Sequence, residues 1–280
     1  MIELSAWERD RDRVLIMGIV NATPDSFFNG GRFRRPADAI GQALRMVEEG
    51  ADIIDVGGES TRPGSRAVSL QEELDRTLPV IEGIRKRSPV TVSIDTTKAQ
   101  VAQEAIAHGV GIVNDISALR FDEKMAEVAA SAGAFVVLMH MQGNPESMQQ
   151  APHYDEVVSE VCAFLGERIR FAVDQGIAEE RIVVDPGIGF GKTLEHNVTL
   201  LQHLDRLSEL ERPVLVGVSR KSFLGGILDV PADERIEGTI AANAAAILRG
   251  ASIIRVHDAK EGKRTAAVAE RLRNHGPTCC

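Results

Sequence analysis

"VTVSIDTTKAQVAQEAIAHGVGIVND", residues 90–115, reads as one structural unit and the start of the next. "VTVSI" (90–94) is a short β-branched, apolar run of the kind that forms a strand covered on both faces. A polar turn follows, then a helical pattern over 98–108, then a second buried run, "GIVND" (111–115). The same alternation extends in both directions. Upstream lie "VLIMGIV" (14–20) and "IIDV" (53–56), and downstream "FVVLM" (135–139), "IVVD" (182–185), "VLVGV" (214–218) and "SIIRV" (252–256). Helical patterns fill the gaps at 36–49, 69–87, 123–132, 154–175, 194–204, 236–249 and 260–273. The segment "ADAIGQALRMVEEGAD" has apolar residues at three- and four-residue spacing, with Gly50 as the stop. Ser69 and Glu72 have the spacing of a capping box.

Eight strand–helix units predict an α/β fold, the (β/α)8 TIM barrel. An open doubly wound sheet is the alternative, but it ordinarily has fewer strands. No linker interrupts the alternation, so residues 1–280 are expected to form a single domain, with 274–280 as a flexible tail. In a barrel the active residues sit where strands end and βα loops begin.

Composition narrows the function. The chain is 44% hydrophobic and carries a net charge of −9, with no basic block that could neutralise phosphates along a nucleic acid. Neither a membrane-spanning run nor the apolar centre of a signal peptide is present in the sequence. Cys162 falls inside a helical pattern and Cys279–Cys280 in the tail, without metal-ligand spacing, so a reducing cytoplasmic setting is expected.

The strand ends carry polar groups in every unit: "NATPDSFFNGGRF" (21–33), "GGESTRPGS" (57–65), "DTTK" (95–98), "ND" (114–115), "HMQGNPESM" (140–148), "DPGIGFGK" (185–192), "SRKS" (219–222) and "RVHD" (255–258). Any one of these alone is ordinary capping and turn chemistry. Polar groups at all eight ends of one barrel face need another explanation. "GIGFGKT" imitates a phosphate-binding loop, but Pro186 stands where the first glycine belongs and Asp185 would repel a phosphate. Asp95, Asn114 and Asp185 would converge on a heterocycle rich in N–H groups, because paired hydrogen bonds to a buried carboxylate are strong and orienting. Arg255, His257 and Lys221 are expected to form an opposing cationic sector suited to phosphate. A metal site built on the acidic trio lacks the histidine-rich spacing of zinc.

Taken together, "NATPDSFFNGG", "GGESTRPGS", "SIDTTK", "NDIS", "DPGIGFGK", "GVSRKSF" and "RVHD" resemble the bacterial dihydropteroate synthase family, in order and over nearly the whole chain. The resemblance implies a homodimeric barrel that joins 6-hydroxymethyl-7,8-dihydropterin diphosphate to 4-aminobenzoate with Mg²⁺, releasing pyrophosphate in the folate pathway that sulfonamides block. It maps pterin contacts onto Asp95, Asn114, Asp185 and Lys221, with Met139, Gly189 and Phe190 as walls. Arg255 would cover the ring and reach the diphosphate, His257 would bind the diphosphate, and Asn21 would be linked to the metal. Asp95, Lys221, Arg255 and His257 are thereby the catalytic set. The aminobenzoate side maps to Phe27, Thr61, Arg62, Pro63, Arg220 and Ser222.

The first loop departs from the family pattern at Ala22, Phe28 and Asn29, where a branched aliphatic, a serine and an aspartate are usual. Asn29 removes a carboxylate from loop closure, and Phe28 bears on sulfonamide sensitivity. Two rivals share the fold: a pterin-dependent corrinoid methyltransferase and a non-catalytic pterin-binding homologue. The first has no need for "SRKS" and "RVHD"; the second would be expected to have lost Lys221, Arg255 or His257, all of which are present.

Overall fold

Every apolar run named above forms a strand in the computed structural model, which describes residues 13–23, 36–60, 65 and 67–274. The chain runs β1 (Leu15–Asn21), α1 (Pro36–Glu48), β2 (Ile53–Gly57), α2 (Leu70–Arg85), β3 (Thr91–Asp95), α3 (Ala99–Ala107), β4 (Ile112–Asp115) and α4 (Met125–Ala132). It continues through β5 (Phe135–Met139), α5 (Val157–Asp174), β6 (Ile182–Asp185), α6 (Leu194–Gln202), β7 (Leu215–Val216), α7 (Ser222–Leu228), α8 (Ile236–Leu248), β8 (Ile253–Val256) and α9 (Ala259–Asn274). The strands are parallel in the order β6-β5-β4-β3-β2-β1-β8-β7. A single parallel bridge, Val184 to Val214, joins β6 to β7 and closes the ring. This is the (β/α)8 barrel, formed as one domain.

The strands are buried on both faces for a physical reason. One set of side chains (Leu15, Met17, Ile53, Ile112, Phe135, Val137, Val183, Leu215 and Ile253) fills the barrel interior. The alternate set, including Ile54, Val56, Ile94, Val113 and Leu138, packs outward against helix residues such as Ala43, Met46, Ile81 and Ala105. Each fully buried Ile or Leu contributes ~1.5–3 kcal/mol, so neither face can be left wet.

Four details differ from expectation. β7 is only two residues long, because Pro213 has no N–H to extend the ladder and the chain turns away through Val218–Lys221. Helix α7 forms on "SFLGGIL" although paired glycines disfavour helix; side chains there would collide with Arg235 (2.3 Å at Gly225) and Leu194 (2.8 Å at Gly226). Only half of the capping box exists. Ser69 accepts the Glu72 N–H at 3.2 Å, while the Glu72 carboxylate turns to Arg76. Asn274, assigned to the tail, is the last residue of α9, and 275–280 lie outside the described residues.

Candidate active site

Parallel register sets the site out in a row. Asn21 pairs with Gly57, Gly57 with Asp95, and Asp95 with Asn114, so the ends of β1 to β4 bring these residues side by side. Met139 pairs with Asp185 across β5 and β6. Lys221 follows β7, Arg255 lies near the end of β8, and His257 directly follows it. The described strand ends thus gather Asn21, Asp95, Asn114, Asp185, Lys221, Arg255 and His257 on the C-terminal rim of the barrel.

The charges do not divide into opposed sectors. Arg255 reaches into the acids instead: its Nε donates to Asp55 Oδ2 and its Nη2 to Asp95 Oδ2, both at 2.7 Å. Asp55 Oδ2 also accepts from the Asn114 amide at 3.0 Å. Burial pushes the Asp95 carboxyl up to about 7, with Asp55, Glu73 and Asp115 adding to the rise and Arg255 opposing it. Burial alone would lower the Arg255 guanidinium, but Asp55 and Asp95 reverse that and hold it above its ordinary value. Several buried carboxylates sharing one cation is the physical cause of both shifts.

Asp185 is nearly buried, and its Oδ1 accepts the Gly187 N–H at 2.7 Å. Burial raises its carboxyl, while Lys221, Gly187 and Arg255 pull it back. Burial lowers Lys221 to about 8 against the pull of Asp185, with Arg255 adding to the drop. The Lys221 ammonium donates to the Ile188 carbonyl and lies 4.6 Å from the centre of the Phe190 ring. Phe190 packs with Ile116, Met139, Met141 and Met148, an apolar wall beside the polar row.

The loop after β6 is a self-braced turn rather than a phosphate cradle. Lys192 is buried, and its Nζ donates to Gly187 O and Phe190 O at 3.0 Å and meets His140 Nδ1 at 2.9 Å. Thr193 caps α6, exchanging hydrogen bonds with His196. Gly187 and Gly191 adopt φ of +66° and +61°, where a Cβ would lie 1.8 Å from His140 O and 2.7 Å from Gln142 O. These glycines therefore serve the loop's own close packing; of the three, Gly189 alone borders Lys221, at 3.0 Å.

Other residues fall into place around this core. His257 Nδ1 lies 3.0 Å from Ser219 Oγ. Arg220, at φ +56°, makes a two-pronged contact with Asp258 at 2.8 and 2.6 Å, and Ser222 opens α7. Lys98 bridges Glu59 and Glu73, and Asp115 accepts the N–H groups of Ser117 and Leu119, bracing its turn. Phe27, Phe28, Asn29, Thr61, Arg62 and Pro63 lie outside the described residues. Asp55 and Lys192 were missed as site residues. Asp55 was hidden inside an apolar run and Lys192 inside a false phosphate-loop motif.

The chain matches the family model described as "Pterin binding enzyme" over residues 17–257. A dihydropteroate synthase of Synechocystis is 48% identical to it, covering 93% of this chain and 90% of the relative. A crystal structure of the Yersinia pestis dihydropteroate synthase in complex with a sulfonamide drug superposes with a TM-score of 0.91 at 46% identity, covering 94% of this chain and 96% of the other. A Xanthomonas albilineans dihydropteroate synthase solved with 4-aminobenzoic acid gives 0.88 at 44% identity, with 95% of each chain covered.

Proposed function

The chain belongs to the pterin-binding enzyme family, and from that premise we infer that it catalyses the dihydropteroate synthase reaction: condensation of 6-hydroxymethyl-7,8-dihydropterin diphosphate with 4-aminobenzoate. The observation that carries the reading is the rim itself, where Asp95, Asn114, Asp185, Lys221, Arg255 and His257 converge from five of the eight strand ends. A corrinoid methyltransferase would have no use for the cations of the last two loops.

In this reading the Asp185 carboxylate and the Asn114 amide hold the N–H-rich edge of the pterin, with Met139 and Phe190 against its apolar face. Lys221 and Arg255 flank the ring, and Arg255 and His257 meet the diphosphate. The methylene carbon–oxygen bond breaks with both electrons leaving on pyrophosphate, whose developing charge these cations are already placed to receive. Asp95, when ionised, stabilises the positive charge left on the pterin methylene. The amine lone pair of 4-aminobenzoate then forms the carbon–nitrogen bond, and the amine proton passes to solvent. A neutral arylamine is already nucleophilic, so no strong base is needed. We assign the arylamine side to Phe27, Thr61, Arg62, Pro63, Arg220 and Ser222.

The donors on the rim fit Mg²⁺. Asn21 offers a neutral amide oxygen, and both Asn21 Oδ1 and Asp95 Oδ2 lie 3.7 Å from one point beside Gly57. Among the described residues no group of three or more His, Cys, Asp or Glu gathers to encage a metal, and Mg²⁺ ordinarily completes its shell with water and substrate phosphates. When bound, it would offset diphosphate charge. A homodimer is also part of the proposal, since Ile227, Leu228, Ile240, Leu248, Val268 and Leu272 expose apolar surface on the consecutive helices α7, α8 and α9. A cytoplasmic setting accords with a described chain that has no helix long and apolar enough to cross a membrane.

The test is a pyrophosphate-release assay with the pterin diphosphate, with and without 4-aminobenzoate. Product that depends on the arylamine is expected; its absence overturns the reading.

A further inference from the structure

Asp55 points into the barrel two residue pairs below the rim pair Gly57–Asp95, and it is fully buried. It is too deep to belong to the row of rim residues, yet two of them end on it. Its Oδ2 accepts Arg255 Nε at 2.7 Å and Asn114 Nδ2 at 3.0 Å. Its other oxygen, Oδ1, is buried without a hydrogen-bond partner. A buried carboxylate with one oxygen unpartnered is costly, yet an apolar side chain in its place would leave Arg255 Nε and Asn114 Nδ2 without an acceptor. Filling the core therefore does not explain Asp55.

Its two contacts do. Asp55 Oδ2 accepts from Asn114 Nδ2, so the Asn114 amide turns its NH₂ inward and its carbonyl oxygen is left for the rim. Arg255 is fixed at the same oxygen, while its Nη2 is tied to Asp95 at 2.7 Å. Its Nη1 makes no hydrogen bond within the described residues, which leaves donors for a ligand. One buried oxygen thus sets the hydrogen-bond sense of Asn114 and the direction of the Arg255 fork together.

We propose that Asp55 is a positioning residue for pterin capture: through Oδ2 it holds Asn114 with its acceptor facing the ligand and locks the Arg255 guanidinium beside it. This rests on the pterin reading above. Asp55 acts through those two residues and does not touch the substrate.

The experiment measures pterin affinity by calorimetry, starting with the wild-type protein, and compares Asp55→Leu, Asp55→Ala and Asp55→Asn, each checked for a cooperative melt. Leucine fills the space but accepts nothing, and is expected to weaken pterin binding about tenfold, equivalent to ~1.4 kcal/mol. Alanine should do the same, and the leucine variant keeps the test sound if alanine does not fold. Asparagine still offers an acceptor to both partners, and its NH₂ can take the place of the unpartnered Oδ1, so affinity should return to within about threefold of wild type. In an Asn114→Ala background, Asp55→Leu should weaken binding less than it does alone, because only its hold on Arg255 is then left to lose. Leucine and alanine variants that bind like wild type, an asparagine variant as weak as leucine, or losses that simply multiply with Asn114→Ala would each overturn the positioning role alone. A wild-type protein that binds no pterin would overturn the functional reading and this assignment with it.

Discussion

Nζ of Lys192 lies 2.9 Å from Nδ1 of His140, deep under the loop that carries Asp185 and Phe190. Burial first, and the charge of Lys192 second, push the His140 imidazole down to about 2, so it is neutral. With Nδ1 accepting from the lysine, the ring proton sits on Nε2. Lys192 also satisfies the carbonyls of Gly187 and Phe190, both at 3.0 Å. Lys192→Met keeps the stem but leaves His140 Nδ1 and the Phe190 carbonyl unpaired, at ~1–3 kcal/mol each, while the Gly187 carbonyl keeps the Phe190 N–H. We expect a loss of at least ~2 kcal/mol in urea unfolding and weaker pterin binding. A urea midpoint equal to wild type would show that the lysine does not brace the loop.

The pH dependence should be bell-shaped and narrow. Asp95 is raised to about 7, so it is protonated below that pH and cannot stabilise a cation at the methylene. Lys221 is lowered to about 8, so it loses its charge above that pH. The active form carries Asp95 ionised and Lys221 charged together, and kcat/KM for the pterin diphosphate is expected to rise to near 7 and to fall beyond 8. Lys221→Arg should remove the alkaline limb. An alkaline limb that persists unchanged in that variant assigns it to another group.

Much of this was legible in the residue pattern, for reasons that also explain the gaps. Strands such as Phe135–Met139 are apolar throughout because both faces of a parallel barrel are covered, and that signal survives without any alignment. Rim residues were legible because each lies at the end of such a run or shortly after it. Asp55 was not, since its meaning depends on Arg255, 200 residues further along the chain. The opposition of acids and cations failed for the same reason: chain order does not reveal that Arg255 turns back across the mouth to Asp95. Helix α7 was concealed by Gly225 and Gly226, whose missing side chains are explained by Arg235 and Leu194, which pack into the space.

Asp185 and His257 should separate the two halves of the substrate. Asp185→Asn spoils a buried charge-assisted contact to the ring and is expected to cost ~2–5 kcal/mol in binding of both a simple pterin and its diphosphate. His257→Ala should leave the simple pterin nearly untouched and weaken the diphosphate. Isothermal titration with the two ligands distinguishes them. Equal losses of both ligands in the His257 variant would contradict its placement on the phosphates.

The glycines of the loop after β6 give the sharpest contrast. At Gly187 the backbone has φ +66°, and a Cβ would stand 1.8 Å from the His140 carbonyl oxygen, a rigid backbone atom. Gly187→Ala therefore has to move the turn, adding overpacking of ~1–3 kcal/mol to a left-handed penalty of ~1–2 kcal/mol. The movement also draws the Gly187 N–H away from Asp185 Oδ1, now 2.7 Å distant, so pterin affinity should fall together with stability. Gly111 is the control, because a Cβ there meets nothing within 4 Å and its φ is not left-handed. Gly111→Ala should leave pterin binding intact and raise stability by ~0.4–1 kcal/mol through the unfolded chain. Thermal melts and pterin titrations on the two variants decide the matter: a Gly187→Ala protein as stable and as tight-binding as the Gly111→Ala control would mean that the turn is not built on that close approach.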